Sequence, residues 1–377
     1  MSGSTFGNFL KISTWGESHG AALGVVIDGF PAGMEVSSND IQEYLDRRKP
    51  GTSSITTPRK EDDKVEILSG VFEGRTTGSP ISLMVRNTSQ KSADYSEIAS
   101  YYRPGHADFG YDSKYGFRDY RGGGRSSGRE TIGRVAAGAL CCKLLGQMGI
   151  EFTTYTKSIG PISINPDKFD ASLINSNPVC MPDSEAAKKA FDYINKCKEE
   201  KDSVGGVIEC RINGVPAGIG DPVFDKLDAS FAKALMSIGA VKAVEIGDGV
   251  NVSTHKGSEN NDSFSIEDGR IITTTNHSGG IIGGISSGSQ ILLRCSIKPT
   301  PSISKEQTTV NKDKESINVV IGGRHDPVIV PRAVVVVECM SAITLLDAMI
   351  SNMSARADYI KDFYKLLKDC REGNQNI

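Results

Sequence analysis

The sequence predicts a single α+β domain, and three observations support this. Strand-like and helical segments alternate irregularly, without the regular period of a βαβ fold. No linker, low-complexity tract or repeat of fixed period divides the 377 residues. The 41 glycines concentrate in polar loops, while 38% of the residues are hydrophobic, enough for a large core. We therefore expect one domain over residues 1–377, with its function on ordered loops and a frayed tail from about residue 371.

The first half of the chain predicts strands around two helices. Leu23–Asp28 is short, apolar and rich in β-formers, and turn residues follow it, so it predicts a buried strand. Ser38-Asn39-Asp40 offers N-caps for a helix that ends in the basic cluster Arg47-Arg48-Lys49. Thr131–Gly146 is small and apolar on most sides, which predicts a central helix. Between these helices we expect antiparallel strands at Val65–Leu68, Val71–Phe72 and Ile81–Val85.

The second half repeats the order of strands followed by helices. Ala186–Lys201 is amphipathic and charged, so we expect an exposed helix. The predicted strands are Val207–Ile212, Ala243–Ile246, Gln290–Ile297 and the very apolar Val328–Val337. A pair of helices, Ala342–Met353 and Asp358–Lys368, is expected to close the domain.

Composition excludes several classes of protein. With 43 basic and 46 acidic residues the net charge is -3, which argues against binding nucleic acid or a membrane surface through bulk electrostatics. We find no stretch of about 18 apolar residues and no signal peptide at the N-terminus. Eight scattered cysteines suggest reduced thiols in the cytoplasm. Neither they nor the five histidines have the spacing of zinc ligands, so no metal site is expected.

The loop Arg118–Thr131 is the strongest candidate for an anion site. Four arginines fall within twelve residues, together with Gly122-Gly123-Gly124 and Ser126-Ser127, directly before the central helix. Glycines let the backbone approach an anion, and the helix N-terminus and hydroxyls supply donors. The guanidinium group of arginine can donate two parallel hydrogen bonds to one phosphate or carboxylate group. Anion binding therefore explains this loop better than a solvated surface does.

Further polar loops occur along the chain, and each allows a plain structural explanation. His19, in GESHG at 16–20, and His106, in RPGHAD at 103–108, could simply satisfy turns. Asp326, in GRHDP at 323–327, could cap a turn before proline, and Arg47–Lys49 could compensate a helix dipole. Taken together, the arginines, histidines and hydroxyls suit a multiply charged substrate that undergoes proton transfer and loses an oxyanion.

Seven collinear motifs resemble the chorismate synthase family. They are GESHG at 16–20, RPGHAD at 103–108, RDYRGGGRSSGRET at 118–131, KAVEIGDG at 242–249, NHSGGIIGGISSG at 276–288, KPTPSI at 298–303 and GRHDP at 323–327. The resemblance implies a β-α-β sandwich with central helices between antiparallel sheets, in a homotetramer. It also implies the last common step of the shikimate pathway to the aromatic amino acids. In that reaction 5-enolpyruvylshikimate 3-phosphate loses its 3-phosphate and the C6 pro-R hydrogen by anti-1,4-elimination, with reduced FMN and no net redox change.

The resemblance also implies roles for individual residues. His19 would protonate the departing phosphate, His106 would handle a proton beside flavin N1, and Asp326 would assist deprotonation near N5. The implied substrate-binding set is Ser18, His19, Arg48, Arg103, Ser127, Arg129 and Arg324. The implied FMN-binding set is His106, Arg125, Ser126, Ser127, Gly239, Ala240, Gly283, Lys298, Pro299, Thr300, Pro301, Ser302, Arg324 and Asp326.

The chain departs from the usual family pattern at a few positions. Ser53-Ser54-Ile55 stands where relatives commonly have a second arginine, and Arg59 and Lys60 are the candidates to substitute for it. Gly239 and Pro301 replace the usual Asn and Ser. No insertion of the kind linked to an intrinsic flavin reductase is present, so a separate reductase would supply the flavin and NADPH would be only an indirect reductant. A true flavin oxidoreductase and a non-catalytic phosphometabolite-binding protein are the alternatives.

Overall fold

The computed structural model describes residues 3–49, 51, 55, 61–88, 97–322 and 326–371. The strands in chain order are β1 Thr5–Phe6, β2 Lys11–Gly16, β3 Ala22–Asp28, β4 Val65–Ser69, β5 Val71–Phe72, β6 Arg75–Thr76, β7 Ile81–Arg86, β8 Glu151–Ile159, β9 Ile162–Ser163, β10 Gly206–Asn213, β11 Val241–Ile246, β12 Phe264–Glu267, β13 Arg270–Thr273, β14 Ile281–Ile282, β15 Ile285–Ser286, β16 Ile291–Ile297, β17 Glu306–Val310 and β18 Ser316–Val320. The helices are α1 Ser38–Arg48, α2 Asp108–Tyr115, α3 Thr131–Gln147, α4 Ser184–Glu199, α5 Leu227–Met236, α6 Gly257–Asn260, α7 Val330–Asn352 and α8 Ala357–Arg371.

Two antiparallel five-stranded sheets form the outer layers. The first has the order β1-β2-β3-β7-β4, and the second has the order β11-β16-β10-β8-β9. In each sheet alternate side chains face inward, as the strand period of two requires. Val25 of β3 pairs with Leu83 of β7, and Cys210 of β10 pairs with Leu293 of β16; all four side chains are buried.

Helices α3 and α7 lie between the two sheets. Helix α3 packs on β2 and β3 of the first sheet, and α7 packs on β8 and β10 of the second. The two helices also pack on each other, and Gly138 allows this close approach because a Cβ there would lie 2.2 Å from the Cβ of Cys339. Burial on all sides explains why both helices are apolar around their whole circumference. The fold is therefore α+β with central helices, as expected.

Most predicted elements are confirmed with small shifts at their ends. Helix α1 begins with Ser37 as its N-cap, one residue before the predicted caps, and forms a capping box with Asp40. The predicted central helix corresponds to α3, and the exposed helix corresponds to α4. Strands such as β2 and β8 and helices α2 and α5 were not predicted from the sequence.

The strand predicted at Val328–Val337 is wrong. These residues begin α7, which continues through the predicted helix Ala342–Met353 to Asn352. Pro331 stands in the first turn of α7, where its missing N–H is not needed. Since a strand and a separate helix were expected here, no long apolar stretch was recognised in the sequence. Helix α7 is nevertheless long and apolar enough to cross a membrane, judged by length and composition alone. Most of it is buried between the sheets, as in the core helix of a folded domain.

Candidate active site

Ser18 and His19 lie in the loop between β2 and β3 and are both buried. Ser18 Oγ is 3.1 Å from His19 Nδ1. Gly122, with φ of +136°, comes so close that a Cβ there would lie 2.6 Å from two atoms of the His19 ring. The glycines at 122–124 therefore bring the arginine-rich loop against His19, more than a hundred residues away in the sequence.

Arg103 joins this loop to the RPGHAD segment. Its guanidinium forms a forked pair with Asp108, at 2.8 and 2.7 Å, and also donates to the Gly122 carbonyl oxygen. Both side chains of the pair are buried. Although burial of Asp108 acts in the opposite direction, the hydrogen bonds from Arg103 lower the pKa of this carboxyl group. The Asp108 carboxylate thus holds Arg103 in contact with the glycine that lies on His19.

Arg48 and Arg129 share one buried carboxylate. Asp63, whose side chain is 0% exposed, forms an ion pair with Arg48 Nη2 through one oxygen and accepts from Arg129 Nη2 at 3.2 Å through the other. Glu61 forms a further ion pair with Arg129. Burial lowers the pKa of Arg48, and the positive charge of Arg332 adds to this, while the Asp63 carboxylate opposes both. Two cations predicted for the substrate therefore lie together.

Three residues that the motifs did not single out hold this group in place. Asp63 is the first. Asn87 is the second: its Oδ1 accepts from Arg129 Nη2 at 2.8 Å, while its Nδ2 donates to the Gly20 carbonyl oxygen at 2.8 Å. Arg332 is the third and donates to the backbone oxygen of Arg48 at 3.1 Å. Their only sequence signal is a polar residue next to a strand end or near the start of an apolar helix.

His106 contacts the KPTPS loop. Its Nδ1 is 2.9 Å from the Pro104 carbonyl oxygen and its Nε2 is 2.9 Å from Ser302 Oγ. Because a carbonyl oxygen only accepts, Nδ1 carries the proton, and in the neutral ring Nε2 accepts from the serine hydroxyl. Lys298 Nζ donates to the Gly105 carbonyl oxygen, and Lys298 N donates to Ala240 O. Ala240, next to Gly239, is thereby connected to the loop formed by residues 298–302. The resemblance places both segments in the FMN-binding set.

Asp326 lies on the side of Arg48. Its Oδ2 accepts from Arg332 Nη1 at 2.5 Å, and Arg332 in turn donates to the backbone of Arg48. The next residue, Pro327, accepts the backbone N–H of Val204, and Gly205 approaches Lys298 and Pro299. Contacts therefore connect Asp326 both to the arginine pair and to the loop that touches His106.

The remaining implied residues have different surroundings. Arg125 binds the end of β2, donating to Thr14 Oγ1 at 2.7 Å and to the Gly16 carbonyl oxygen at 3.0 Å. Ser126 donates to its own turn, and Ser127 Oγ accepts the backbone N–H of Arg129. Gly283 is in the hairpin β14–β15, which contacts residues 219–227. Arg324 and the variant positions Ser53, Ser54, Arg59 and Lys60 lie outside the described residues.

Two buried donors in these sets favour an anionic substrate and a cofactor. Among the described residues, Arg48 Nε and Thr300 Oγ1 are buried without a hydrogen-bond partner. A buried polar atom without a partner costs about 1–3 kcal/mol, so both positions favour an incoming acceptor. Arg48 belongs to the implied substrate set, and Thr300 belongs to the implied FMN set.

Comparisons with known proteins agree with one another. A family model described as chorismate synthase matches residues 10–350. The chorismate synthase of Agathobacter rectalis is 63% identical over 367 residues, which are 97% of this chain and 100% of the relative. That of Methanococcoides burtonii is 54% identical, over 93% of this chain and 96% of the relative. A crystal structure of chorismate synthase matches with a TM-score of 0.75 at 32% identity, covering 98% of this chain and 99% of that one.

Proposed function

This chain belongs to the chorismate synthase family, and on that basis we propose that it converts 5-enolpyruvylshikimate 3-phosphate to chorismate and phosphate by 1,4-elimination. One observation carries the proposal. Two buried guanidinium groups, of Arg48 and Arg129, share Asp63, and Asn87 ties the second of them to the loop that holds His19. The arrangement combines fixed positive charge with a nearby proton donor, which loss of a phosphate requires.

The arginines bind the substrate's charges. The substrate carries two carboxylates and one phosphate, and each pairs well with a forked donor. Asp63 and Asp108 keep the guanidinium groups of Arg48, Arg129 and Arg103 oriented before the substrate arrives. Orientation in advance matters because the site then spends little free energy on reorganisation when charge moves to the leaving oxygen.

His19 gives a proton to the leaving phosphate. Its Nδ1 lies 3.1 Å from the Ser18 hydroxyl oxygen, which fixes the orientation of the ring. The protonated imidazole neutralises charge on the departing oxygen. A second proton, from C6 of the substrate, is taken up with the help of Asp326, whose carboxylate Arg332 orients. His106 accepts from Ser302 at Nε2 and can hold or release a proton at that atom.

Reduced FMN, when bound, would supply a transient electron donor for loss of the phosphate, with no net redox change. Ala240, His106 and Lys298 through Ser302 would hold it, because they offer backbone groups, a cation and hydroxyls in one contiguous region. Arg125 is the weakest member of this set, since the end of β2 already accepts from its guanidinium. Arg324 and Gly283 complete the proposal by resemblance alone.

The family membership also suggests a cellular location, an oligomeric state and a source of reduced flavin. We place the enzyme in the cytoplasm as a homotetramer, without nucleic-acid or membrane partners. A separate flavin reductase delivers reduced FMN, and NADPH serves only through that reductase. The family membership supports these statements, and the net charge of -3 agrees with a small anionic metabolite bound by local basic groups.

The test is the stoichiometry of flavin under strict anaerobiosis. Purified protein, one equivalent of reduced FMN and excess 5-enolpyruvylshikimate 3-phosphate should yield many equivalents of chorismate and phosphate, with the flavin still reduced. Oxidised FMN should bind and give no product. One product per flavin, with the flavin left oxidised, would instead identify a true oxidoreductase. Binding of substrate without any product would identify a phosphometabolite-binding protein.

A further inference from the structure

Three potential metal ligands, Asp248, His255 and His277, form a cluster that shares no residue with the sets assigned above. A ligand atom from each of Asp248, His255 and His277 lies within 4.8 Å of the other two. Asp248 Oδ2 is 2.6 Å from His277 Nδ1 and 3.9 Å from His255 Nδ1. Asn260 adds an amide oxygen, 3.3 Å from His255 Nδ1. All these side chains are half-buried, so water can also reach the cluster.

Backbone hydrogen bonds hold two of these ligands firmly. Asp248 N donates to His277 O at 2.9 Å, while His277 N donates to Asp262 Oδ1 at 2.8 Å. Gly247 sits so tightly against this loop that a Cβ there would lie 2.0 Å from the His277 carbonyl oxygen. Asp248 and His277 are therefore in place independently of any ion. His255 lies in the segment 249–260, which follows β11 and contains a 3-10 helix and α6.

A simple hydrogen bond explains only part of the arrangement. His277 alone satisfies the facing oxygen of Asp248. His255 Nδ1 is 3.9 Å from the same oxygen, too long for a hydrogen bond, and its hydrogen-bond partner is Asn260 Oδ1 at 3.3 Å. Two imidazole nitrogens and a carboxylate oxygen within a few ångströms of one another are a ligand set that divalent zinc-like ions prefer. Ligand atoms around tetrahedral zinc are roughly 3.3 Å apart, as bond lengths of about 2.0–2.1 Å require. The distance from Asp248 Oδ2 to His277 Nδ1, 2.6 Å, is shorter than this separation, and the distance to His255 Nδ1, 3.9 Å, is longer.

We propose that Asp248, His255 and His277 bind one divalent transition-metal ion, of the zinc type, with Asn260 or water as the fourth ligand. Small side-chain rotations bring the three ligand atoms to bonding distance. The ion holds the segment 249–260 against the loop that precedes β14. The histidines showed no ligand spacing in the sequence because they belong to different segments that only the fold brings together. This site differs from the proposed active site in both its residues and its role.

The experiment uses the full chain, stripped of metal with a chelator. Titration with Co²⁺ should produce the strong visible absorption of a four-coordinate site and saturate at one ion per chain, and Zn²⁺ should displace the Co²⁺. Zn²⁺ should also raise the melting temperature. His255→Ala should weaken Co²⁺ binding at least tenfold and abolish the rise in melting temperature. Ser258→Ala, an exposed change in the same segment, is the matched control and should bind like the parent.

Two checks keep the result unambiguous. In the presence of chelator, His255→Ala should melt at nearly the parent temperature, because the half-buried ring makes few contacts to lose. Asp248→Asn should lose the cobalt absorption as well, since an amide is a poor ligand compared with a carboxylate. Absence of stoichiometric Co²⁺ binding would overturn the proposal. So would a cobalt spectrum that survives His255→Ala, because the ion would then lie elsewhere. Neither result bears on chorismate formation, which is measured separately.

Discussion

Replacing Asp63 by alanine should be the most destabilising single change in the candidate active site. The side chain is completely buried and forms ion pairs with Arg48 and Arg129, whose own side chains are only 2% and 7% exposed. Removing it leaves two buried cations with too little compensation, although Glu61 still faces Arg129. Breaking a buried ion pair by deleting one partner costs about 3–5 kcal/mol. Asp63→Asn keeps the shape and one acceptor, so its cost should be smaller.

The measurement is urea unfolding, with free energies taken from the midpoint and an unchanged m value. Glu35→Ala is the control, because it removes an ion pair with Arg75 in which both side chains are more than half exposed, and should cost at most about 1 kcal/mol. Inorganic phosphate should stabilise Asp63→Ala more than the parent, since an anion can enter the vacated position between the arginines. If Asp63→Ala lowers the free energy of unfolding no more than Glu35→Ala does, or if phosphate does not restore it, these arginines do not depend on Asp63.

Three further predictions follow from the same contacts. His19→Ala should lower kcat about 10²–10⁴-fold and leave FMN affinity nearly unchanged, whereas weaker FMN binding at normal kcat would assign His19 to the cofactor. Arg129→Lys should raise the KM for substrate almost as much as Arg129→Ala, because the fork is used as well as the charge; full activity in either would remove Arg129 from the site. Glu209, although buried, has its pKa lowered to about 2 by hydrogen bonds from basic neighbours and Tyr155. The stabilisation by Glu209 is therefore present above its unfolded pKa of about 4.3 and is lost as the pH falls towards 2. The free energy of unfolding of Glu209→Gln should therefore depend less on pH over that range than that of the parent. An equal pH dependence would contradict the lowered pKa.

The sequence was informative about elements with a clear apolar run. Leu23–Asp28, Gln290–Ile297 and Thr131–Gly146 led to correct elements, because the first two form strands of the sheets and the third forms a mostly buried helix. Val328–Val337 misled, because a helix buried on every side has no polar face and its valines resemble a strand. Only packing between the two sheets distinguishes the two possibilities there.

By itself, the sequence determined the fold class, the chorismate synthase family and the loops that carry the candidate site, because these depend on local patterns and on the order of motifs along the chain. The tertiary structure decided which charges meet. Asp63, Asn87 and Arg332 hold the site although no motif marks them, because their partners are distant in sequence and an ion pair has no local signature. The cluster of Asp248, His255 and His277 has the same origin: the stretch after β11 contributes two ligands, the loop before β14 contributes the third, and only the folded backbone brings those atoms together.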